Sequence, residues 1–277
     1  MQQQAQELML NLTYKKAFDE EAWQNDALLL QERLRVVTGC NHVGVIGRAR
    51  KSMSLVGDRS YLTERLNVVV DGKLETFEYR QNEGQFSQPN ALVNQEMLTW
   101  AVGRVRDFDS PKKDFLELYC GNGNFTVPIS KLVCRRTLAT EASSKAVECA
   151  NWALQFNGCK DSQVVRMTSK DIASALFKDR LFNRLSHLNL DEFQFGSVLV
   201  DPPRTGLDED SRQLLSAHVG QIIYISCNPE SLARDIKMIN DSSPNKIEVH
   251  QLVCFDQFPG TDHIECGVDI RISSIGK

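Results

Sequence analysis

Cys227 lies in Ser226-Cys227-Asn228-Pro229, directly after the apolar run Ile222-Ile223-Tyr224-Ile225. Read as a strand ending on this tetrapeptide, the run delivers a thiol to the carboxyl edge of a sheet, where ligands of open α/β folds gather. Asn228 has the character of a helix cap and Pro229 that of a first helical residue, so the thiol is expected just ahead of a helix N-terminus. Partial positive charge there would hold its pKa below the free value of about 8.5. Asp201-Pro202-Pro203-Arg204 ends a second apolar run and is expected to set a rigid acidic loop on the same crevice. A thiolate so placed can attack an electron-poor ring. A buried structural cysteine is the competing reading, since that is the usual fate of a free thiol.

The run Leu116-Glu117-Leu118-Tyr119-Cys120-Gly121-Asn122-Gly123-Asn124 sets a glycine-rich turn after another strand. Glycines admit a ligand close to the backbone, and the following helix presents free amides. Thr126 occupies the place of the third glycine of a dinucleotide fingerprint, which counts against a redox cofactor. Glu141 ends the next strand-like run, where a carboxylate can take both hydroxyls of a ribose. S-adenosylmethionine and nicotinamide cofactors share that sugar, so Glu141 marks a ribose and not a reaction; a helix-capping acid is the alternative. In His263-Ile264-Glu265-Cys266-Gly267-Val268, period-two alternation sends His263 and Glu265 to one face. Glu265 is then either a general base, with His263 as neighbour or substitute, or part of a water-exposed strand face.

Two stretches must position these groups. Alternation over Leu8, Leu10, Leu12 and Tyr14 predicts a strand without an obvious preceding partner, followed by a helix from an Asp19 cap to about Val37, closed by Gly39. Short strands are expected at Val43 to Ile46 and Ser52 to Val56, and Asp71-Gly72 joins Leu66 to Val70 and Leu74 to Tyr79 as a hairpin. From Asn90 helices and strands alternate, the signature of a mostly parallel sheet covered on both faces. Helices are expected from Ala91 to about Arg106, from Phe125, from Ser143 to Phe156, up to about Leu190, from Asp208 and from Pro229. The strands between and after them fall at Phe115 to Tyr119, Thr137 to Glu141, Gln163 to Met167, Ser197 to Val200, Gln221 to Ile225, Ile247 to Phe255 and Ile264 to Ser273. The division is thus residues 1–84, a partial α+β domain, and residues 85–277, an α/β domain.

With 277 residues, 42% hydrophobic and 25% charged, the chain can build one large core and a smaller unit. No apolar stretch approaches the roughly 20 residues of a membrane helix, and Met1-Gln2-Gln3-Gln4 does not open a basic-then-apolar leader, so a cytoplasmic protein is expected. The eight cysteines are scattered with no C-x-x-C pair, which argues against zinc, an iron–sulfur cluster or a disulfide framework. A net charge of −4 is unusual for a nucleic-acid binder. Arg48 with Arg50 and Lys51, Lys112 with Lys113, and Arg135 with Arg136 are the local basic clusters, each read first as solvated surface.

Phe86-Ser87-Gln88-Pro89-Asn90, the glycine turn, Ala139-Thr140-Glu141, Asp201-Pro202-Pro203-Arg204, Ser226-Cys227-Asn228-Pro229, Phe255-Asp256-Gln257-Phe258-Pro259 and His263 to Val268 run in one order from about Gln85 to the C-terminus. As a set they resemble the RNA uracil-5-methyltransferase family, most closely its tRNA branch, which also acts on tmRNA. The resemblance implies a Rossmann-like S-adenosylmethionine-dependent methyltransferase sheet with a smaller, incomplete α+β N-terminal domain. It implies that Gln88, Tyr119, Asn124, Glu141 and Asp201 bind S-adenosylmethionine, that Cys227 is the nucleophile and that Glu265 is the base. The target would be the T-loop uridine of tRNA, flipped from its stack, with Phe86 either stacking on RNA or packing in the core. Members carry sequence upstream of the strand near Leu8, so the chain is expected to start inside the RNA-engaging domain. It lacks the cysteine cluster of the ribosomal-RNA members, which favours the tRNA branch. A monomer without metal is expected. Two other readings stand beside this one. A truncated RNA-binding or tRNA-folding protein would bind without transferring methyl. An amino-methyltransferase would carry an aromatic residue where this chain has Arg204.

Overall fold

Strand β1 (Glu7–Thr13) finds its partner downstream. It runs parallel to β2 (His42–Ala49) through the crossover helix α1 (Glu20–Thr38), and β3 (Ser52–Val56) folds back antiparallel on β2. The caps of α1 are those expected: Asp19 Oδ1 accepts from Ala22 N at 2.8 Å, and Gly39 takes a left-handed φ of 67° to close the last turn on Arg35 O. Trp23 and Ala27 pack on Val45 and Val56. Buried Gln31 donates from Nε2 to Val43 O at 2.6 Å. Glu7 accepts from Arg59 at 2.7 Å and from Thr63 N at 2.6 Å.

This is a computed structural model, and it describes residues 7–108, 113–177, 180–218 and 220–273. Residues 1–4, read above for a leader, and Lys112 lie outside the described residues. The chain divides into two units, Met1–Glu64 with Arg80–Gln85, and Arg65–Tyr79 with Phe86–Lys277. The partition falls within the hairpin of β4 (Tyr61–Val70) and β5 (Lys73–Asn82), whose turn residues Asp71 and Gly72 both have positive φ, as a two-residue hairpin turn requires.

The second unit alternates as expected: α2 (Ala91–Phe108), β6 (Asp114–Leu118), α3 (Thr126–Leu132), β7 (Thr137–Glu141), α4 (Ser144–Phe156), β8 (Ser162–Arg166), α5 (Ser169–Leu176), β9 (Phe195–Val200), α6 (Glu209–His218), β10 (Gln221–Ser226), α7 (Pro229–Ser242), β11 (Lys246–Phe255) and β12 (Glu265–Ser273). One seven-stranded sheet results, in the order β11-β12-β10-β9-β6-β7-β8. The strands β10, β9, β6, β7 and β8 are parallel, and β12 is antiparallel to both of its neighbours. The order reverses at β6, which lies between β9 and β7, and this switch point opens a crevice at the carboxyl edge.

Alternation sorts the strands onto two cores. Phe115, Leu199, Ile223 and Ile225 face Met97, Leu98 and Val102 of α2, together with Leu66, Phe77 and Tyr79 of the hairpin. Leu116, Leu118, Val198, Val200, Ile222 and Tyr224 face Ile172, Leu214 and Leu232 on the other side. Each such fully buried side chain stabilises by roughly 1.5–3 kcal/mol. Two expectations change. The strand expected to reach Tyr119 stops at Leu118, because Tyr119 turns to a left-handed φ of 60°. The helical stretch expected up to Leu190 is α5 followed by the short 3₁₀ turns Asn183–Leu185 and Leu190–Glu192.

Arg135 and Arg136, read as a solvated basic cluster, instead converge on buried Asp114, whose oxygens they reach at 2.7–3.1 Å, while Gln194 N donates to Oδ2 at 2.8 Å. Burial pushes this carboxyl up, but the two guanidiniums outweigh it and hold it at about 2. Its stabilising contribution is therefore full above about pH 4 and disappears as pH falls through about 2. Asp114→Asn removes the anion that Arg135 and Arg136 share, leaving Arg136 only Glu192 at 3.6 Å, and is expected to lower the urea midpoint with unchanged slope.

Candidate active site

The register of the sheet gathers the expected groups. Leu118 pairs with Thr140 on one side and Val200 on the other, so Tyr119, Glu141 and Asp201 come next along their three strands. Ser226 pairs with Cys266 as the last pair of the ladder between β10 and β12, so Cys227 leaves β10 where β12 begins at Glu265. Parity puts Glu141 and Glu265 on the face of Ala139 and Gly267, the side covered by α2, and Asp201 and Cys227 follow directly on the ends of β9 and β10. Cys227 is half-buried, Glu265 is buried and Asp201 is half-buried.

Two ties fix the loop bearing the thiol. Asn228 caps α7 by accepting from Glu230 N at 3.2 Å, and its Nδ2 donates to Arg204 O at 3.1 Å, joining the Cys227 turn to the Pro-Pro loop. Buried Asp235 of α7 takes Leu207 N at 2.7 Å and Tyr224 Oη at 2.8 Å, and Arg234 donates to Thr205 O at 2.7 Å. Gly206, with φ of 83°, has no room for a Cβ, which would strike the Asp235 carboxylate. Asp235 escaped the sequence reading because its partners lie far from it along the chain. The Arg-Asp pair on α7 carries no signal beyond that of a surface ion pair.

The electrostatics correct one expectation. The Cys227 thiol is raised, not lowered: burial is the largest cause, Glu265 and Asp201 add to it, and a backbone hydrogen bond and Arg204 oppose it only in part. The helix terminus is real, but two acids share its crevice. Burial lifts Glu265 to about 7, and burial with the nearby Glu265 lifts Asp201 well above the carboxylate range. A base poised near neutrality is what proton abstraction at physiological pH requires. The Glu265 Oε2 atom is buried and accepts no hydrogen bond among the described residues.

The glycine turn is built tightly. Gly121 and Gly123 take φ of 56° and 85°, and a Cβ on Gly123 would meet Ala150 at 3.2 Å. Glu141 locks the turn, its Oε2 accepting from Gly121 N at 3.2 Å and its Oε1 from Ser143 N at 2.7 Å. Ser143, not Glu141, is the cap of α4. Asn124 shares a reciprocal amide pair with buried Asn94 of α2, both bonds 2.9 Å, and Tyr79 Oη donates to its carbonyl at 3.0 Å. Tyr119 donates to Asp208 at 3.2 Å and lies 3.0 Å from Ser211 Oγ. Left-handed backbone at a non-glycine residue costs roughly 1–2 kcal/mol and recurs at ligand clamps. Gln88, just ahead of α2, is half-buried, with an Oε1 that accepts no hydrogen bond among the described residues. Gly123→Val, strained in φ and pressed on Ala150, is expected to lower the midpoint of urea unfolding.

Three neighbours were not singled out from sequence. Glu117 is fully buried and bonded to Thr126 Oγ1 at 2.7 Å; burial lifts its carboxyl to about 8, with Asp201 contributing. Asn94 is hidden within a helical stripe. Buried Gln257 accepts from Asn90 N at 3.0 Å, linking the segment after Gln88 to the loop before Glu265. Beside this link, Pro89, Leu92, Phe258 and Pro259 line a hollow of about 520 Å³. Phe86 is exposed, so the core alternative for its ring does not hold. Among the described residues no cluster of His, Cys, Asp or Glu could hold a metal, and no described helix is long and apolar enough to cross a membrane.

The chain as a whole is similar to known proteins. Residues 1–272 match the family model described as tRNA (Uracil-5-)-methyltransferase. The tRNA/tmRNA (uracil-C(5))-methyltransferase of Pseudomonas putida is 41% identical over 264 residues, which cover 95% of this chain and 67% of that protein. The same-named protein of Acinetobacter baylyi is 38% identical over 268 residues, 96% of this chain and 68% of its own. Among solved structures, the Pyrococcus abyssi tRNA (uracil-54, C5)-methyltransferase in complex with S-adenosyl-L-homocysteine shares the fold, with a TM-score of 0.62 at 20% identity. That match covers 95% of this chain and 56% of the archaeal one, so the chain spans little more than half of that structure.

Proposed function

Because this chain belongs to the tRNA (uracil-5-)-methyltransferase family, we propose that it methylates C5 of the T-loop uridine of tRNA, and of the tRNA-like part of tmRNA, through a covalent adduct on Cys227. The observation that supports the reading is the pairing of Ser226 with Cys266, which ends β10 at Cys227 where β12 begins at Glu265, close enough for the charges of Glu265 and Asp201 to act on the Cys227 thiol. Uracil C5 is a poor nucleophile. Addition of the Cys227 sulfur to C6 moves the electron pair of the C5–C6 double bond onto C5, which becomes enolate-like. S-adenosylmethionine, when bound, supplies an electrophilic methyl group. Glu265 takes the proton from methylated C5, the double bond re-forms, and the C6–S bond breaks to free the Cys227 thiolate.

The residues present fit such a donor. The orphaned Oε1 of Gln88 offers an acceptor, the left-handed glycines at 121 and 123 admit close approach, and Glu141 stands beside that turn. Gln88, Tyr119, Asn124, Glu141 and Asp201 would hold it. The Asn124 amide is already engaged with Asn94 and the Tyr119 hydroxyl with Asp208, so Asn124 shapes the turn and Tyr119 contributes its ring. Exposed Phe86 offers a stacking face to RNA. Exposed Arg204 stands where an amino-methyltransferase would need an aromatic ring. A tRNA substrate also fits a cytoplasmic protein.

Incubation with methyl-labelled S-adenosylmethionine and unmodified tRNA, followed by nucleoside analysis, tests the reading. Label in 5-methyluridine is expected. Label on an exocyclic amine, or tRNA binding with no label at saturating donor, would overturn it.

A further inference from the structure

Cys254 and Cys266 are direct partners on the antiparallel strands β11 and β12, with their Sγ atoms 3.9 Å apart. Facing residues of antiparallel strands have Cα atoms about 4.5 or 5.5 Å apart according to pair type, and both values fall within the range of about 4.4–6.8 Å that a disulfide spans. An S–S bond of about 2.05 Å is therefore within reach of side-chain rotation and a small approach of the strands. The two thiols differ in access. Cys254 is exposed, whereas Cys266 is buried, follows Glu265 directly and pairs on its other side with Ser226, the residue before Cys227.

We propose that Cys254 and Cys266 form a reversible cross-strand disulfide by exchange with a low-molecular-weight disulfide such as oxidised glutathione, and that closing it draws Glu265 out of position. Cys254 is exposed and Cys266 is buried, with its thiol raised by that burial first and by Cys254 and Glu265 after it, so the exposed Cys254 reacts first. Its thiolate attacks one sulfur of the oxidised tripeptide, forming a mixed disulfide and releasing one tripeptide thiolate, which takes up a proton. Cys266 then gives up its proton and attacks Cys254 Sγ, expelling the second tripeptide as its thiol. Two protein thiols are oxidised and one small disulfide is reduced to two thiols. Bond closure pulls Cys266 toward β11, and with it Glu265 on the same peptide. A misplacement of about 1 Å at a reacting group can lower turnover about 100-fold.

The bond does not depend on the proposed function; its effect on methyl transfer does. The full chain is equilibrated in glutathione buffers of increasing oxidised fraction, free thiols are alkylated, and peptides are mapped by mass. A linked pair containing Cys254 and Cys266 is expected, lost in Cys254→Ser and reversed by dithiothreitol. Failure to link this pair, or linkage only elsewhere, overturns the site. In parallel, oxidation is expected to lower methyl transfer at least about tenfold in the native chain and less than about twofold in Cys254→Ser. The variant also separates this effect from oxidation of Cys227, which it retains. A bond that forms with turnover unchanged overturns the coupling to Glu265. Absence of methyl transfer in the fully reduced chain would count against the proposed function, while the mass map still decides whether the bond exists.

Discussion

Replacing Cys227 with alanine is expected to lower methyl transfer by roughly 10⁴-fold or more and to eliminate the covalent RNA complex, with RNA and donor binding within about threefold of the parent. The expectation rests on the chemistry of C5, which has no other route to nucleophilic character in this crevice. Glu117, Asp201 and Glu265 are acids held up by burial, and none can add usefully to C6. Cys120, at the start of the glycine turn, is buried and raised well above its ordinary value, first by burial and then by Glu117 and Glu141. Cys227 differs in being half-buried beside Arg204, whose charge favours the thiolate. The fold should survive, since the loop is fixed by Asn228 and Asp235 and not by the sulfur. Transfer by the alanine variant within about tenfold of the parent would require a mechanism without thiol addition.

The second large effect belongs to Glu265. Glu265→Gln keeps the size and removes the base, so turnover is expected to fall about 10²–10⁴-fold. Unlike the cysteine variant, it should accumulate the methylated adduct, because thiol addition and methylation precede proton removal. The pH profile supplies an independent check. Burial raises Glu265 to about 7, so its basic form is scarce in acid and plentiful above neutrality. The Cys227 thiol, raised by burial and by the two acids, must lose its proton as well. Both requirements have the same sign: the rate rises with pH, and the limb near 7 disappears in Glu265→Gln while the thiol's limb at higher pH stays. Turnover independent of pH from 5 to 8 would contradict this assignment of the base.

The parts legible in the sequence are those decided within a few residues. Asp19 and Gly39 bracket α1 because caps act within one turn, and Asp71-Gly72 fixes its hairpin because both residues tolerate left-handed backbone. The sequence positions of Cys227, Asp201 and Glu141 at strand ends were readable because an apolar run ends visibly at each. Their convergence required the strand order, which local patterns do not encode. The elevated Cys227 thiol was missed for the same reason: its helix terminus is local, but Glu265 comes from β12 and Asp201 follows β9. Arg135 and Arg136 looked solvated because their anion, Asp114, lies on a neighbouring strand. The Asn94 to Asn124 amide pair and the bond of Asn228 to Arg204 are likewise products of packing.

The central claim is that the sulfur at position 227 bonds to the pyrimidine while the carboxyl at 265 removes its C5 proton. RNA carrying 5-fluorouridine at the target position addresses both, since fluorine at C5 leaves no proton for Glu265 to take and the adduct cannot break down. Incubated with the chain and S-adenosylmethionine, then digested and sequenced by mass, this RNA should yield a stable peptide–nucleotide adduct whose only modified residue is Cys227. Methylation of ordinary uridine by a chain that forms no such adduct, or an adduct mapped to another residue, would contradict the account.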